Sequence, residues 1–490
     1  MNARVRRTKS AILAILFLAC SSLIYSTELA FAQYAQQGKL IGTGASGTAA
    51  NQGSDVALSA DGNTLIEGGR GDDPTGAAWI FTQSAGFWNQ QGGKLVGTNP
   101  VGDGVQGTAV ALSSDGNTAI VGGSGDNTRT GAVWVYNRSS GVWTQQGSKL
   151  IGTGARGIAA QGTTVALSGD GNTAVVGGPQ DHGQRGAAWV FTRNGNVWTQ
   201  NGAKLVGHGA IGKALFGFVA ISGDGKTVMV GGDLDNSQAG AVWVFTRDRR
   251  GVWTQQGDKL IGTGAVGKAM QGVAIALSAD GNTAIIGGPA DNSYKGAAWV
   301  FVRNGDTWNQ QGNKLPGDGG AGGSVALSAD GNTAIVGEPN NSHDTGAALV
   351  YTRSGGVWMQ LGDKLVGTNA IGPALQGSSI ALSGDANIAA VGGIQDDTFK
   401  GAVWLYLRQS PVSNAPLDCE ALVKSIQQMV AIGIPGPRFP IADWTKIQNQ
   451  LHQCVLQHQI TQGEVDSLIA SYTRYASGAN EPPTPVGQPK

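Results

Sequence analysis

The stretch Gly141–Arg193 reads GVWTQQGSKLIGTGARGIAAQGTTVALSGDGNTAVVGGPQDHGQRGAAWVFTR, and versions of it recur from residue 34 to residue 408. A Lys-Leu pair marks every copy, and successive lysines are 55 residues apart five times and 50 residues apart once. Repeats of this length are typical of propellers and solenoids. The chain therefore holds seven copies of one structural unit, marked by Lys39, Lys94, Lys149, Lys204, Lys259, Lys314 and Lys364.

Each copy predicts four short strands. In the second copy, the apolar run at 110–113 is followed by a Ser-Asp-Gly-Asn sequence, which is typical of a hairpin turn. A second run at 118–121 stops at two glycines, and further strands follow at 132–136 and 142–146. The inner strands are apolar at successive positions, which predicts that both faces of each sheet are buried. Such burial indicates a blade stacked between two neighbours rather than a sandwich with one solvated face.

The two ends of the array indicate a closed ring. Strands one to three occur seven times, whereas the Trp-bearing fourth strand follows only the first six sets. The missing strand is at the N-terminus, where Tyr34–Leu40 repeats the pattern with Tyr34 in the Trp position. In an open solenoid, a fourth strand moved to the N-terminus would have no partner at the other end. In a closed ring, this strand pairs with the last blade and completes it. We therefore predict an all-β fold, a seven-bladed β-propeller over residues 33–409 that the N-terminal strand closes.

Composition and the N-terminus indicate an exported protein without a nucleic-acid partner. The formal net charge is +0, 13% of the residues are charged, and no basic block occurs. Residues 1–32 combine an Arg-rich start, an apolar stretch and an Ala-Phe-Ala sequence, which predicts a cleaved signal peptide. A lipoprotein signal at Cys20 is the alternative, although the residues before Cys20 match its motif poorly. We expect a periplasmic or secreted monomer with no membrane span after cleavage.

The C-terminal part of the chain changes character. Glycine becomes rare in residues 417–476, and three amphipathic helical periods predict a small three-helix domain. Residues 477–490 are rich in proline and are expected to be disordered. Cys419 and Cys454 lie on the apolar faces of the first two predicted helices. Because an oxidising compartment favours the pairing of such thiols, we predict a disulfide between these two residues.

One copy carries Phe-Gly at 216–217, then a strand, Asp-Gly at 224–225 and Gly-Gly at 231–232. The repeats resemble the FG-GAP repeats of integrin α-chain-type propellers and their exported bacterial relatives. The resemblance implies calcium loops with several carboxylates each, but every copy here keeps a single carboxylate. Because calcium needs six to eight oxygen ligands, we predict no metal. We interpret the remaining carboxylates as hairpin-turn residues; they are Asp61, Asp115, Asp170, Asp224, Asp280, Asp330 and Asp385.

Other motif matches predict neither a cofactor nor a catalytic site. The pattern G-x-G-x-x-G occurs at 42–47, 152–157, 207–212 and 262–267. A dinucleotide site needs a strand before this pattern and a helix after it, whereas here an apolar strand follows. We therefore predict loops between blades and no cofactor. No linear catalytic motif is present, so we assign no catalytic residue.

The loop after each second strand has a carboxyl at its fifth residue in six of the seven copies. Seven equivalent loops share one end of a propeller, so these side chains form either an acidic ligand-binding ring or a local turn in each loop. The residues are Asp72, Asp126, Asp181, Asp235, Asp291 and Asp396, with Asn341 in the sixth copy.

Two further features are candidates for a role. The repeated lysines are expected to protect the exposed edges of outer strands. Glu67 and Glu338 break the symmetry, because Glu67 replaces Val or Ile and Glu338 replaces Gly. A carboxyl in an apolar strand has either a raised pKa and a functional role or a place on the central channel, and we favour the channel for Glu67.

The leading interpretation of function is an exported, non-catalytic propeller that serves as a scaffold for protein or glycan binding. The alternative is an extracytoplasmic enzyme with carbohydrate as a candidate substrate. Its site would lie in the propeller loops or channel, where Glu67 and the loop aspartates would converge. A purely structural surface role is the third interpretation.

Overall fold

The computed structural model describes residues 33–84 and 86–409, together with Val423, Gly463, Val465 and Ser467, which have helical conformation. The predicted signal peptide, Cys419, Cys454 and the proline-rich tail lie outside the described residues, and four helical residues do not confirm a three-helix domain. No helix of the described part is long and apolar enough to cross a membrane.

Residues 33–409 form an all-β, seven-bladed propeller of antiparallel sheets. The N-terminal strand is β1 (Tyr34–Leu40). Blade one contains β2 (Gln52–Leu58), β3 (Thr64–Gly69), β4 (Ala77–Ser84) and β5 (Phe87–Gln90). Blade two contains β6 (Gln106–Leu112), β7 (Thr118–Gly123), β8 (Ala132–Ser139) and β9 (Val142–Gln145). Blade three contains β10 (Thr164–Leu167), β11 (Thr173–Gly178), β12 (Ala187–Asn194) and β13 (Val197–Gln200).

The remaining four blades repeat this order. Blade four contains β14 (Phe218–Ile221), β15 (Thr227–Gly232), β16 (Ala241–Arg247) and β17 (Trp253–Gln255). Blade five contains β18 (Ala274–Leu277), β19 (Thr283–Gly288), β20 (Ala297–Asn304) and β21 (Thr307–Gln310), with the short β22 (Leu315–Pro316) on β20. Blade six contains β23 (Val325–Leu327), β24 (Thr333–Glu338), β25 (Ala347–Ser354) and β26 (Val357–Gln360). Blade seven contains β27 (Gln376–Leu382), β28 (Ile388–Gly393) and β29 (Ala402–Arg408).

The N-terminal strand completes blade seven. β1 pairs antiparallel with β29, and the register runs from Tyr34 opposite Arg408 to Leu40 opposite Val403. The first strands of neighbouring blades contact one another in a closed circle. These innermost strands therefore form the wall of the central channel, and the fourth strands lie at the outer edge.

Apolar side chains fill the interfaces between blades, with one cluster at each of the seven seams. The third-strand tryptophans are the largest buried side chains, and the indole of Trp189 donates to the Thr153 carbonyl at 2.8 Å. Glycine is required beneath each ring: a Cβ at Gly152 would lie 2.2 Å from Trp189 Cδ1. Blade six differs, because Leu349 replaces Trp.

The two ends of the propeller differ in their loops. The loop end carries the crossover loops, which lead from the outer edge of one blade to the channel strand of the next, such as residues 96–105. It also carries six single turns with left-handed backbone, at Asp126–Arg129, Asp181–Gln184, Asp235–Gln238, Asp291–Tyr294, Asn341–Asp344 and Asp396–Phe399. The hairpin end carries the Asp-Gly turns. The candidate residues described below lie at the loop end, on the channel strands, in the hairpin turns and in one seam between blades.

Candidate functional site

The loop aspartates and the repeated lysines bind each other. Lys94 Nζ lies 2.5 Å from Asp72 Oδ2, and Lys149 Nζ lies 2.6 Å from Asp126 Oδ2. Both carboxylates are almost completely buried. The same pair occurs in four more blades, as Lys204–Asp181, Lys259–Asp235, Lys314–Asp291 and Lys39–Asp396.

Each of these carboxylates also holds a crossover loop. Asp126 Oδ1 accepts the backbone N–H of Val101 at 2.8 Å, and Asp235 Oδ1 accepts that of Ile211 at 2.6 Å. The aspartates do share one end of the propeller, but their oxygens are used by lysines and backbone amides, so they do not form an open ligand-binding ring. The lysines are ion-paired rather than serving only to protect strand edges.

Blade six replaces this pair by a different set of residues. Asn341 stands at the Asp position, and Lys364 Nζ instead lies 2.8 Å from Oε2 of the fully buried Glu338. Glu338 Oε1 accepts the backbone N–H of Asp318 at 3.0 Å, as the aspartates accept crossover amides elsewhere. Glu338 therefore has a structural role in blade six, as the buried partner of Lys364 and of the crossover loop.

The hairpin-turn aspartates hold their own turns. Asp61 Oδ1 accepts the Ser59 hydroxyl at 2.5 Å and the Asn63 backbone N–H at 3.0 Å. Burial alone would raise the pKa of Asp61, but these hydrogen bonds outweigh burial and hold that pKa below its usual value. Within the described residues, no group of three or more His, Cys, Asp or Glu side chains could hold a metal ion.

Glu67 lies in the seam between blades one and seven, not on the channel. It pairs with Val56 and Trp79 across the sheet, and its side chain is fully buried. Neither carboxyl oxygen has a hydrogen-bond partner among the described residues. Burial raises the pKa of Glu67 to about 8, and the nearby Gly42 amide opposes that rise only in part. The predicted channel position is wrong because both faces of a second strand are covered by blades.

The channel wall contains one carboxyl that the repeat pattern does not share, Asp55 on β2. Equivalent positions in the other blades hold Ala109, Thr164, Phe218, Ala274, Ser324 and Ser379. In three blades a hydroxyl at this position donates to a glycine carbonyl of the next blade, as Thr164 does to Gly217 at 2.5 Å.

Asp55 makes a different contact. Its Oδ2 accepts the backbone N–H of Val110 in blade two at 2.8 Å, and its Oδ1 accepts that of Val56 at 3.0 Å. The residue remains partly exposed. Burial nevertheless raises the pKa of Asp55 to about 7, because the two amide hydrogen bonds lower it by less. A channel carboxyl with this pKa is able both to accept and to donate a proton near neutral pH.

A second unshared carboxyl, Asp233, follows the second strand of blade four. The residue is 4% exposed, and its Oδ1 has no hydrogen-bond partner in the described chain. Burial raises the pKa of Asp233 to about 6, against the effect of its own amide and that of Leu234. Other blades hold Arg70, Ser124, Pro179, Pro289, Pro339 and Ile394 at this position.

A cleft of about 530 Å³ opens at the loop end of blade two. Its lining includes Asp103 and Val105 from the crossover loop, Ser124 after the second strand, and Thr128 and Arg129 from the left-handed turn. The cleft and Asp55 share strand β6, because Val105 immediately precedes it and Val110 on it binds Asp55. Five residues of extended chain separate the two, a distance of about 17 Å.

Asp55, Asp233 and this cleft were not predicted from the sequence. A comparison of each residue with its six counterparts would have separated Asp55 and Asp233 from the repeat, since no other blade has a carboxyl there. The cleft depends on the meeting of a crossover loop with a left-handed turn, which the linear sequence does not show.

No family model matches the chain, and no curated protein matches it. The resemblance to FG-GAP repeats is therefore not shown. Solved structures do match. A candidate 6-phosphogluconolactonase of Bacteroides uniformis is 15% identical, with coverage of 64% of this chain and 85% of its own and a TM-score of 0.46. A periplasmic gluconolactonase of Pseudomonas aeruginosa is 20% identical, with coverage of 63% and 83% and a TM-score of 0.44.

The matching structures correct the expected function. They are described as lactonases, as is a further candidate from Bacteroides fragilis with 14% identity and a TM-score of 0.46. Their descriptions agree with the enzyme alternative and not with the leading interpretation, a non-catalytic scaffold. At these identities and TM-scores, the likeness carries no activity or substrate over to this chain, so the chemistry must come from its own residues.

Proposed function

We propose that the protein is an exported enzyme with its catalytic site in the loop-end half of the channel, where Asp55 is the acid–base residue. The observation that carries the proposal is the position of Asp55: a partly exposed residue on a channel strand, with its carboxylate held by Val110 and Val56, where no other blade has a titratable group. Its pKa of about 7 suits a group that must change protonation state during each turnover.

The reaction that fits one such carboxyl is hydrolysis of a small, carbohydrate-derived substrate. In the first half of the reaction, Asp55 accepts a proton from the attacking water as the water oxygen bonds to the substrate carbon. In the second half, Asp55 returns that proton to the leaving oxygen as its bond to carbon breaks. The amides of Val110 and Val56 hold the carboxylate in one orientation throughout.

The enzyme that the sequence alone suggested had a different site. The sequence suggested an active site in which Glu67 and the loop aspartates converge. In the structure, Glu67 is enclosed in a seam and the aspartates are paired with lysines. Asp55 replaces them as the candidate. Export rests on the features of residues 1–32, and periplasmic action is part of the proposal.

The test is a turnover screen of the mature protein, residues 33–490, against chromogenic glycosides, simple carboxylic esters and sugar lactones. Any activity found should fall about 100-fold or more in Asp55→Asn, because the variant keeps the shape but cannot exchange the proton. Asp258→Asn, at an exposed aspartate on a fourth-strand loop, is the matched control and should be unchanged. Full activity in Asp55→Asn would reject the proposed site.

A further inference from the structure

Two small residues, Ser124 and Gly125, line the cleft over blade two. Gly125 stands where other blades have Gln180, Leu234, Ala290, Asn340 and Gln395, apart from Gly71 in blade one. Ser124 stands where others have Arg70, Pro179, Asp233, Pro289, Pro339 and Ile394. A Cβ at Gly125 would lie 2.2 Å from the Asp103 carbonyl oxygen, so glycine is needed for the loop to pass so closely.

Arg129 at this cleft is peculiar to blade two, and its neighbour Asp103 has a carboxyl counterpart only in Asp318 of blade six. The position of Arg129 holds Gln184, Gln238, Tyr294, Asp344 and Phe399 in blades three to seven. The position of Asp103 holds Ile158, Lys213, Lys268 and Pro373 in blades three, four, five and seven. Among residues 33–84 and 86–409, neither Arg129 nor Asp103 takes part in an ion pair.

The unpaired arginine is notable because the repeated lysines at the loop end are neutralised. Each of these seven lysines has a carboxylate partner at the loop end. Arg129, by contrast, is exposed and has no ion pair within the described residues, so its side chain is available to a ligand at the rim of the cleft. A guanidinium binds a carboxylate through two parallel hydrogen bonds. The Asp103 carboxylate accepts hydrogen bonds from hydroxyl groups, and the hydroxyls of Ser124 and Thr128 both donate and accept them.

We propose that this cleft is a binding site for small hydroxylated carboxylates, the chemical class of sugar acids. Arg129 binds the carboxylate of the ligand, and Asp103, Ser124 and Thr128 bind its hydroxyl groups. The volume of about 530 Å³ is within the range of small-molecule sites and accommodates a single monosaccharide acid. The cleft lies about 17 Å from Asp55 along β6, so this proposal goes beyond the proposed function and the binding is independent of turnover.

Calorimetric titration of the mature protein tests the site without any assay of activity. The probes are sodium glucuronate and sodium gluconate, with glucose, acetate and inorganic phosphate as partial probes. We expect saturable binding of at least one sugar acid. Glucose lacks the carboxylate and acetate lacks the hydroxyls, so each should bind about tenfold more weakly or worse.

Two variants separate the cleft from the general surface. Arg129→Gln introduces the residue of blades three and four and should weaken sugar-acid binding about tenfold or more. Ser124→Ile introduces the residue of blade seven and should block the cleft. Arg156→Gln, at an exposed arginine on the next crossover loop, should bind like the wild type.

The outcomes distinguish the site from the catalytic proposal. Binding that Arg129→Gln weakens and Asp55→Asn leaves intact supports the site, whether or not turnover is ever found. Absence of saturable binding by both sugar acids overturns it, as does equal binding of phosphate and acetate or an undiminished affinity in Arg129→Gln. Turnover lost in Asp55→Asn without any sugar-acid binding would leave the catalytic proposal standing and remove this one.

Discussion

Lys364 pairs with Glu338 at 2.8 Å, although Glu338 stands where every other blade has a glycine. The glycine is required elsewhere because of the third-strand tryptophan: a Cβ at Gly393 would lie 2.6 Å from Trp404 Cζ3. Blade six has Leu349 in place of that Trp and Asn341 in place of the paired Asp. Three substitutions thus act together, and the buried carboxylate has moved from the loop to the strand.

Because of this exchange, Asn341→Asp should compensate for the loss of stability that Glu338→Gly causes. Glu338→Gly should lower the free energy of unfolding by about 3 kcal/mol, because it leaves Lys364 without its buried partner. Adding Asn341→Asp restores the arrangement of the other blades and should recover most of the loss. Chemical denaturation measures both, and Asp318→Asn, which removes the exposed partner of Lys364, should cost less than about 1 kcal/mol. A double variant no more stable than Glu338→Gly would contradict the exchange.

The seam carboxyl predicts a pH-dependent stability. The folded-state pKa of Glu67 is about 8, above its ordinary value of 4.5, so folding favours the protonated acid. The protonated side chain therefore makes its full contribution to the free energy of unfolding in acid, below the pKa that Glu67 has in the unfolded chain. As the pH rises from there towards 8, the free energy of unfolding falls by about 1.4 kcal/mol per pH unit. Glu67→Val, the residue of several other blades, should remove this loss.

Denaturation of both proteins at pH 5, 6.5 and 8 gives the measurement. The stability gain of Glu67→Val over the wild type should grow with pH. A gain that is constant across this range would show that Glu67 does not titrate in the seam.

Ring closure predicts a strong dependence on the N-terminal strand. Deletion of residues 33–42 removes β1, its ladder to β29 and the Lys39–Asp396 ion pair. The free energy of unfolding should fall by several kcal/mol, because blade seven is left with an open edge. Thermal unfolding of the truncated protein checks this, and a melting temperature equal to that of the full chain would be inconsistent with closure by β1.

The structure of the hairpin turns predicts that calcium does not change the melting temperature of the protein. Each turn offers one carboxylate, which is already bound to its own turn as Asp61 is to Ser59 and Asn63. Melting temperatures with calcium and with a chelator should therefore agree. A rise of more than a few degrees with calcium would mean that the turns bind the ion.

The sequence predicted the blades well because their period and strand pattern are local properties, repeated seven times. It placed the loop aspartates at one end but missed their partners. A signal was present: Asp126 and Lys149 recur with nearly constant spacing, and the single Asn, Asn341, coincides with Glu338. Asp55 was missed because an isolated Asp in a polar stretch resembles a loop residue. The orientation of Glu67 depends on which strand faces are covered, and only the assembled ring decides that.

The central claim, that Asp55 performs acid–base catalysis in the channel, is tested most directly by the pH dependence of kcat/KM on the best substrate of the screen. The profile of the wild type should show an inflection near pH 7, set by the pKa of Asp55. In Asp55→Asn that inflection should be absent and the rate low, whereas Asp258→Asn should reproduce the wild-type curve. A wild-type profile flat between pH 6 and 8, or an inflection that persists in Asp55→Asn, would contradict the claim.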